Sequence, residues 1–93
     1  MKFEWDSDKA FQNVNKHGVT FAEAQSVFDD KLYLDYYDDD HSESEQRFIR
    51  KAHSILERLL VVSYTDRDGI IRIISARKAI RKEILNYESE FNY

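Results

Sequence analysis

The run Leu59-Leu60-Val61-Val62-Ser63-Tyr64-Thr65 is almost entirely apolar, and Asp68-Gly69 soon follows it, leading into Ile70-Ile71-Arg72-Ile73-Ile74-Ser75. Such a run reads as a strand buried on both faces. Asp-Gly between two runs of this kind is a strong signal for a two-residue hairpin turn. The chain must therefore organise itself around one central antiparallel pair. If the turn holds two residues, Thr65 faces Arg72 and Arg67 faces Ile70, all on one side of the hairpin; a three-residue loop would break that register. With 93 residues, one core and one domain over 1–93 are expected, with no room for a separate regulatory module.

The flanking segments supply the remaining elements. Phe3-Glu4-Trp5 suits a brief strand, and Asp6 or Ser7 can cap a helix over residues 8–16. Ala10, Phe11 and Val14 recur at helical spacing and should face the core, with Gly18 ending the helix after Lys16 and His17. Thr20-Phe21-Ala22-Glu23 is a capping box, and Phe21, Ala24, Val27 and Phe28 form the buried stripe of the helix it opens. Leu32 to Tyr37 reads as an aromatic-rich strand, Asp38 to Glu45 as a polar connection, and Arg47 to His53 as the next strand. Trp5, Phe3 and Tyr64 are assigned to the core, while Tyr33, Tyr36 and Tyr37 suit base stacking or a partner surface. After Ser75, which is expected to cap it, a terminal helix is predicted from Ala76 to about Phe91, with Ala76, Ile80, Ile84, Tyr87 and Phe91 on one face. The sum is an α+β domain: a mostly antiparallel sheet, two N-terminal helices and one C-terminal helix, with the helices on one face.

Charge is distributed unevenly. Residues 1–46 hold 4 Lys and Arg against 12 Asp and Glu, whereas residues 47–93 hold 10 against 6, although the net charge is only −4. A basic half of that kind suits a polyanion, and the acidic run Asp38-Asp39-Asp40 is expected simply to solvate the protein. The absence of cysteine excludes disulfides and thiolate chemistry. No apolar signal core opens the chain and no stretch approaches the roughly 20 apolar residues of a membrane helix, so a soluble, cytoplasmic protein without a membrane partner is expected. His41 and His53 lack partners at metal-ligand spacing, which argues against a metal site.

The basic segment Arg72 to Lys82 is the sharpest functional signal. Placed in the first turn of a helix, Arg77, Lys78, Arg81 and Lys82 would oppose the positive end of the helix dipole unless an anion sat nearby. Arg77 and Arg81 would share a face and can hold phosphate oxygens bidentately; a solvated basic face paired with Glu57, Glu83 or Glu88 is the competing explanation. Arg72 interrupts an isoleucine run and cannot be buried unpaired. His17 has the chemistry of a general acid or base, against a plain capping role. Glu45 and Arg47 have a spacing that puts both on one face of a strand.

Phe3-Glu4-Trp5-Asp6, Lys16-His17-Gly18-Val19, Phe21-Ala22-Glu23-Ala24, Val27-Phe28-Asp29-Asp30, Thr65-Asp66-Arg67 and Ile71 to Lys82 together make the chain resemble the BrnT family of bacterial toxins over nearly its whole length. Ala52, where members often carry glycine, and the tail beyond Tyr87 depart from the pattern. The resemblance implies a fold like that of the RelE toxins and a metal-independent, cofactor-free endoribonuclease that arrests translation and growth. It also implies neutralisation by BrnA, a ribbon-helix-helix antitoxin through which alone operator DNA would be contacted. On this resemblance His17 takes acid–base work, Arg67 and Arg77 clamp phosphate and stabilise transition-state charge, and Lys16, Glu45, Arg47, Arg72 and Arg81 position substrate. The rival reading is a module that binds nucleic acid, or an antitoxin-bound co-repressor, without catalysis.

Overall fold

The computed structural model describes residues 1–42 and 44–91; residue 43, in the predicted polar connection, and the last two residues of the variable tail lie outside them. The described elements are β1 (Lys2–Glu4), α1 (Ser7–His17), α2 (Phe21–Ser26), β2 (Leu34–Tyr37), β3 (Phe48–His53), β4 (Leu59–Arg67), β5 (Ile70–Lys78) and α3 (Arg81–Phe91), with single 3-10 turns at Val27–Asp29 and Asp39–His41. The strands form one mixed sheet in the order β1-β5-β4-β3-β2. Only β1 against β5 is parallel; the other three pairings are antiparallel.

The central hairpin forms as its sequence requires. Arg67 pairs with Ile70 and Thr65 with Arg72 across a two-residue turn. Asp68 and Gly69 both take positive φ there, 54° and 86°, the conformation that this turn demands and that the Asp-Gly pair tolerates. Between Ser63 and Tyr64 the register shifts, so that Ser75 faces Ser63 while Ile73 faces Tyr64, leaving Ile74 as the additional residue of a bulge. The bulge inverts the alternation of β5. Ile71, Ile73 and Ala76 consequently share one face, and Arg72 and Arg77, five residues apart, share the other.

On the first face, Phe21, Ala24 and Val27 pack with Leu60, Val62, Tyr64, Ile71, Ile73, Ala76 and Ala52 into one core, with Phe3, Trp5, Ala10, Phe28 and Phe48 around it. Burial of a large side chain such as Phe21, Leu60 or Ile73 contributes about 1.5–3 kcal/mol each. Ala52 is wholly buried in this cluster, its methyl serving as core.

Helix α1 corrects the expectation made for it. Phe11 and Val14 remain 70% and 43% exposed, and the buried residue of the helix is Asn13. The cause is its position at the edge of the sheet. Strand β1 covers β5 only from Ile70 to Arg72, and beyond that α1 lies alongside. Asn13 Oδ1 accepts from the Ala76 N–H at 3.1 Å, and its Nδ2 donates to the Ala76 carbonyl at 2.8 Å and the Val19 carbonyl at 2.9 Å. A side-chain amide thus stands in for a neighbouring strand. The caps agree with the sequence: Asp6 accepts from Lys9 N, Thr20 from Glu23 N, and Gly18 takes φ 68° at the end of α1. Glu23 does not return to its cap, however; it is buried against Arg58 and Ser54.

The terminal helix is also corrected. It begins at Arg81, because residues 76–78 continue β5 against Leu60 to Val62 and the Ala79 N–H adds one more bond to the Leu59 carbonyl. Ser75 is therefore a strand residue, not a cap. Helix α3 packs on the opposite face of the sheet from α2, through buried Tyr87, whose ring meets His53 and whose hydroxyl bonds the Leu32 carbonyl. The helices thus cover both faces rather than one, while Ile80, Ile84 and Leu85 stay exposed.

Replacing Asn13 with alanine should destabilise the fold by about 2–4 kcal/mol, since it leaves two buried backbone groups of Ala76 unpaired. The check is the midpoint shift in urea denaturation; a shift equivalent to less than about 0.5 kcal/mol would contradict the role given to this amide.

Candidate active site

The sheet face that carries α3 is only partly covered, and two adjoining open clefts lie beside the helix. Lys9, Asp40, His41, Ser44, Glu45, Arg47, Arg67, Arg72 and Ile74 line one, of about 320 Å³. Lys16, His17, Asp38, His41, Arg47, Ile49, Val61, Ser63, Ser75, Ala76 and Arg77 line the other, of about 390 Å³. His41 and Arg47 belong to both, so the clefts form a continuous trough. Its floor is the β4–β5 hairpin, one wall is α1 and the other is the connection between β2 and β3.

Seven of the eight residues singled out in the sequence meet here: Lys16, His17, Glu45, Arg47, Arg67, Arg72 and Arg77. Arg81 does not. It sits exposed on α3, because Arg77 belongs to a strand and the two no longer share a helical face. The same correction removes the case for a basic helix start made on Arg77 and Lys78. Only Arg81 and Lys82 occupy the first turn, and Glu83 accompanies them, its Oε1 accepting from the Ile80 N–H at 2.9 Å.

Most of the arginines already carry a carboxylate. Arg67 donates to Glu45 through Nε at 2.6 Å and Nη2 at 2.9 Å, and lies 3.9 Å from Glu4. Arg72 is 3.5 Å from the other oxygen of Glu4. Arg77 donates through Nη1 and Nη2 to Glu83 at 2.7 and 2.9 Å. These forks match the geometry of a phosphate, and a carboxylate occupying one holds the guanidinium in the orientation an anion needs. The Arg67 hydrogen bond holds the Glu45 carboxyl below its ordinary range. The Arg77 bonds, aided by the Ile80 N–H, pull Glu83 from 4.5 to about 2. Among the described residues Lys9, Lys16 and Arg47 make no ion pair, and they are the cations open to an incoming anion.

Several features escaped the sequence reading. Glu45 and Arg47 precede β3 rather than sharing a strand face, and Glu45 instead reaches Arg67. Asp38 and Asp40, expected only to solvate the protein, line the trough. Lys9, Asn13 and Lys16 also recur at helical spacing, and that polar stripe meets the sheet edge at Asn13 and the trough at Lys9 and Lys16. His41 has its Nδ1 3.1 and 3.2 Å from the Asp38 carboxylate oxygens; their separation of three residues was the available signal. Tyr33 covers the Arg50 guanidinium at 4.0 Å and Tyr36 lies over Lys51 at 5.1 Å, while Tyr37 packs edge-on against Phe48; none of the three lines the trough. Among the described residues no three ligating side chains converge as a metal site would require, and no helix is long and apolar enough to cross a membrane.

A trough lined by six cationic side chains and two histidines, on an α+β domain, has the chemistry to hold a polyanion beside groups able to transfer protons. Residues 5–83 match the model of the family described as the ribonuclease toxin, BrnT, of type II toxin–antitoxin systems. The chain belongs to the BrnT family and is by that membership an endoribonuclease toxin, with RNA as its substrate class and an antitoxin as its partner. The fold is similar to that of the ribonuclease toxin BrnT of Brucella abortus in its crystal structure, with a TM-score of 0.67 and 20% identity over 87% of this chain and 99% of that one. No curated protein sequence matches the chain.

Glu83 makes the trough sensitive to acid. Its folded-state pKa is depressed, so its contribution to stability is complete above about pH 4.5, the unfolded value, and is lost as the pH falls towards 2. At most about 3 kcal/mol is involved. Thermal melts between pH 2 and 6 should show wild type losing more stability than Glu83→Gln; parallel curves would contradict the ion pair.

Proposed function

We propose that the chain cleaves RNA by intramolecular attack of the 2′-hydroxyl, without a metal, as a RelE-like toxin neutralised by a BrnA-like ribbon-helix-helix antitoxin. The observation that carries this reading is the joining of His17, Arg77 and Arg67 in one open trough, although they come from a helix end, a strand end and a hairpin tip. RNA supplies its own nucleophile. Cleavage then needs a base for the 2′-proton, an acid for the departing 5′-oxygen and cations for the charge that builds on the pentacoordinate phosphate.

His17 takes one proton-transfer role. Arg67 and Arg77 receive phosphate oxygens on the N–H groups that Glu45 and Glu83 leave free, each guanidinium being held in orientation by its carboxylate, and Arg72, Lys16 and Arg47 guide the flanking backbone. Arg81 is left out of this assignment. The predicted products are a 2′,3′-cyclic or 3′-phosphate and a 5′-hydroxyl. Growth arrest follows if the RNA cut is one that translation needs, and operator DNA is reached through the antitoxin.

Incubation of antitoxin-free protein with total RNA in excess chelator should yield new 5′-hydroxyl ends. Arg67→Ala should lower kcat/KM by about 10²–10³-fold with an unchanged circular dichroism spectrum. Arg77→Ala should do the same at low temperature while also lowering Tm, because it releases Glu83 and with it the start of α3. RNA left intact by folded wild-type protein, or cut equally by the variants, would reject the assignment.

A further inference from the structure

We propose that His41, held by Asp38, is the general base that takes the 2′-proton, and that His17 is the acid that protonates the leaving 5′-oxygen. The inference rests on the ribonuclease reading above and names the second proton-transfer group that reading requires.

Cleavage through the 2′-hydroxyl moves two protons. A base removes one as the 2′-oxygen bonds to phosphorus, and an acid gives one to O5′ as the P–O5′ bond breaks, so the cyclic phosphate and the 5′-hydroxyl form with charge balanced. Of the three histidines in the chain, His17 and His41 line the same cleft as Arg47 and Arg77, whereas His53 packs on Tyr87 beside Asp30, outside it. The trough therefore offers two imidazoles for two proton transfers.

Their surroundings divide the roles. The Asp38 carboxylate can only accept, so the Nδ1 of His41, 3.1 Å away, carries the hydrogen of that bond, which leaves the Nε2 of the neutral ring with a free lone pair. An imidazole oriented by a carboxylate in this way is the arrangement that favours proton abstraction. His17 makes no bond to a carboxylate among the described residues. The dyad is also fixed in place. The Asp38 N–H donates to the Arg47 carbonyl at 2.9 Å, the Ser42 hydroxyl to the Asp38 carbonyl at 2.5 Å, and the Arg47 N–H to the Ser42 hydroxyl at 2.9 Å. These bonds close the base of the connection between β2 and β3 and set Asp38, His41 and Arg47 at one wall. Asp38 is thus a positioning residue, its side chain 12% exposed, and His41, at 64%, is accessible to substrate.

The test uses an RNA oligonucleotide spanning a mapped wild-type cleavage site, made with either oxygen or sulfur as the 5′-leaving atom at that linkage. A thiolate departs without a proton, so it relieves the need for an acid but not for a base. His41→Ala should lose about 10²-fold or more on both substrates. His17→Ala should lose as much on the oxygen substrate and recover to within about tenfold of wild type on the sulfur one. Asp38→Asn should lower kcat at unchanged KM, with partial recovery in Asp38→Glu. His41→Ala cutting both substrates at the wild-type rate, or recovery with sulfur in His41→Ala instead of His17→Ala, would overturn the proposal while leaving ribonuclease activity intact. Wild-type protein that leaves total RNA without new 5′-hydroxyl ends, so that no such site can be mapped, would remove the 2′-hydroxyl reading itself, and this assignment with it. His41→Gln, which keeps a polar side chain at an exposed position, provides the control for folding.

Discussion

The amide of Asn13 is the contact on which the rest of the molecule hangs. Strand β1 is three residues long and leaves the outer edge of β5 bare beyond Arg72. Bare backbone at a buried edge is costly, and the usual remedies are another strand or a covering element that supplies hydrogen bonds. Asn13 supplies them from a helix, pairing with both polar groups of Ala76. The consequence is geometric. A helix bonded to the sheet edge, rather than stacked on one face, presents residues to both faces, so Ala10 reaches the core while Lys9, Lys16 and His17 reach the trough.

A second constraint concerns charge. Six cations crowded on one face would repel one another and weaken the fold, yet the chain keeps them there by pairing Arg67, Arg72 and Arg77 with Glu45, Glu4 and Glu83. The exposed pairs of Arg67 and Arg72 add little stability. The effect of the pairs is on shape: a bidentate carboxylate holds the guanidinium of Arg67 and that of Arg77 as a phosphate would, and Glu4 lies against Arg72 at 3.5 Å. The acids sit on segments other than the hairpin, on β1, on the β2–β3 connection and on α3. Substrate binding is thereby tied to how those three segments lie on the sheet. Arg77 is the clearest case, since the glutamate that holds it also satisfies the first turn of α3.

How much of this was legible follows from the range of the forces involved. The β4–β5 hairpin, the caps at Asp6 and Thr20 and the glycine end of α1 could all be read, because each depends on residues within a few positions of one another; whether the hairpin turn held two residues or three could not. The basic segment was recognised as functional but misassigned in structure. Its spacing suits a helix, yet Ala76 to Lys78 are drawn into the sheet by Leu60 to Val62 and by Asn13, sixty-three residues upstream of Ala76. Of the stripe Ala10, Phe11, Val14 only Ala10 meets the core, since a helix at a sheet edge buries an asparagine and leaves a phenylalanine in water. Arg67 and Arg72 were placed together by hairpin register alone. The pairing of Arg67 with Glu45 had no local signature.

By itself the sequence determined the α+β class, the central hairpin, the basic character of the second half and the membership of the family, since propensity, turn chemistry and motif are properties of contiguous residues. Only the tertiary structure decided that Arg72 and Arg77 share a face, because the bulge at Ile74 arises from how two strands meet. Only it set α3 on the face opposite α2, and only it brought Asp38 and His41 into the cleft that His17 lines. Those outcomes depend on which backbone groups and charges find partners across long stretches of chain, and that competition is settled when the sheet closes.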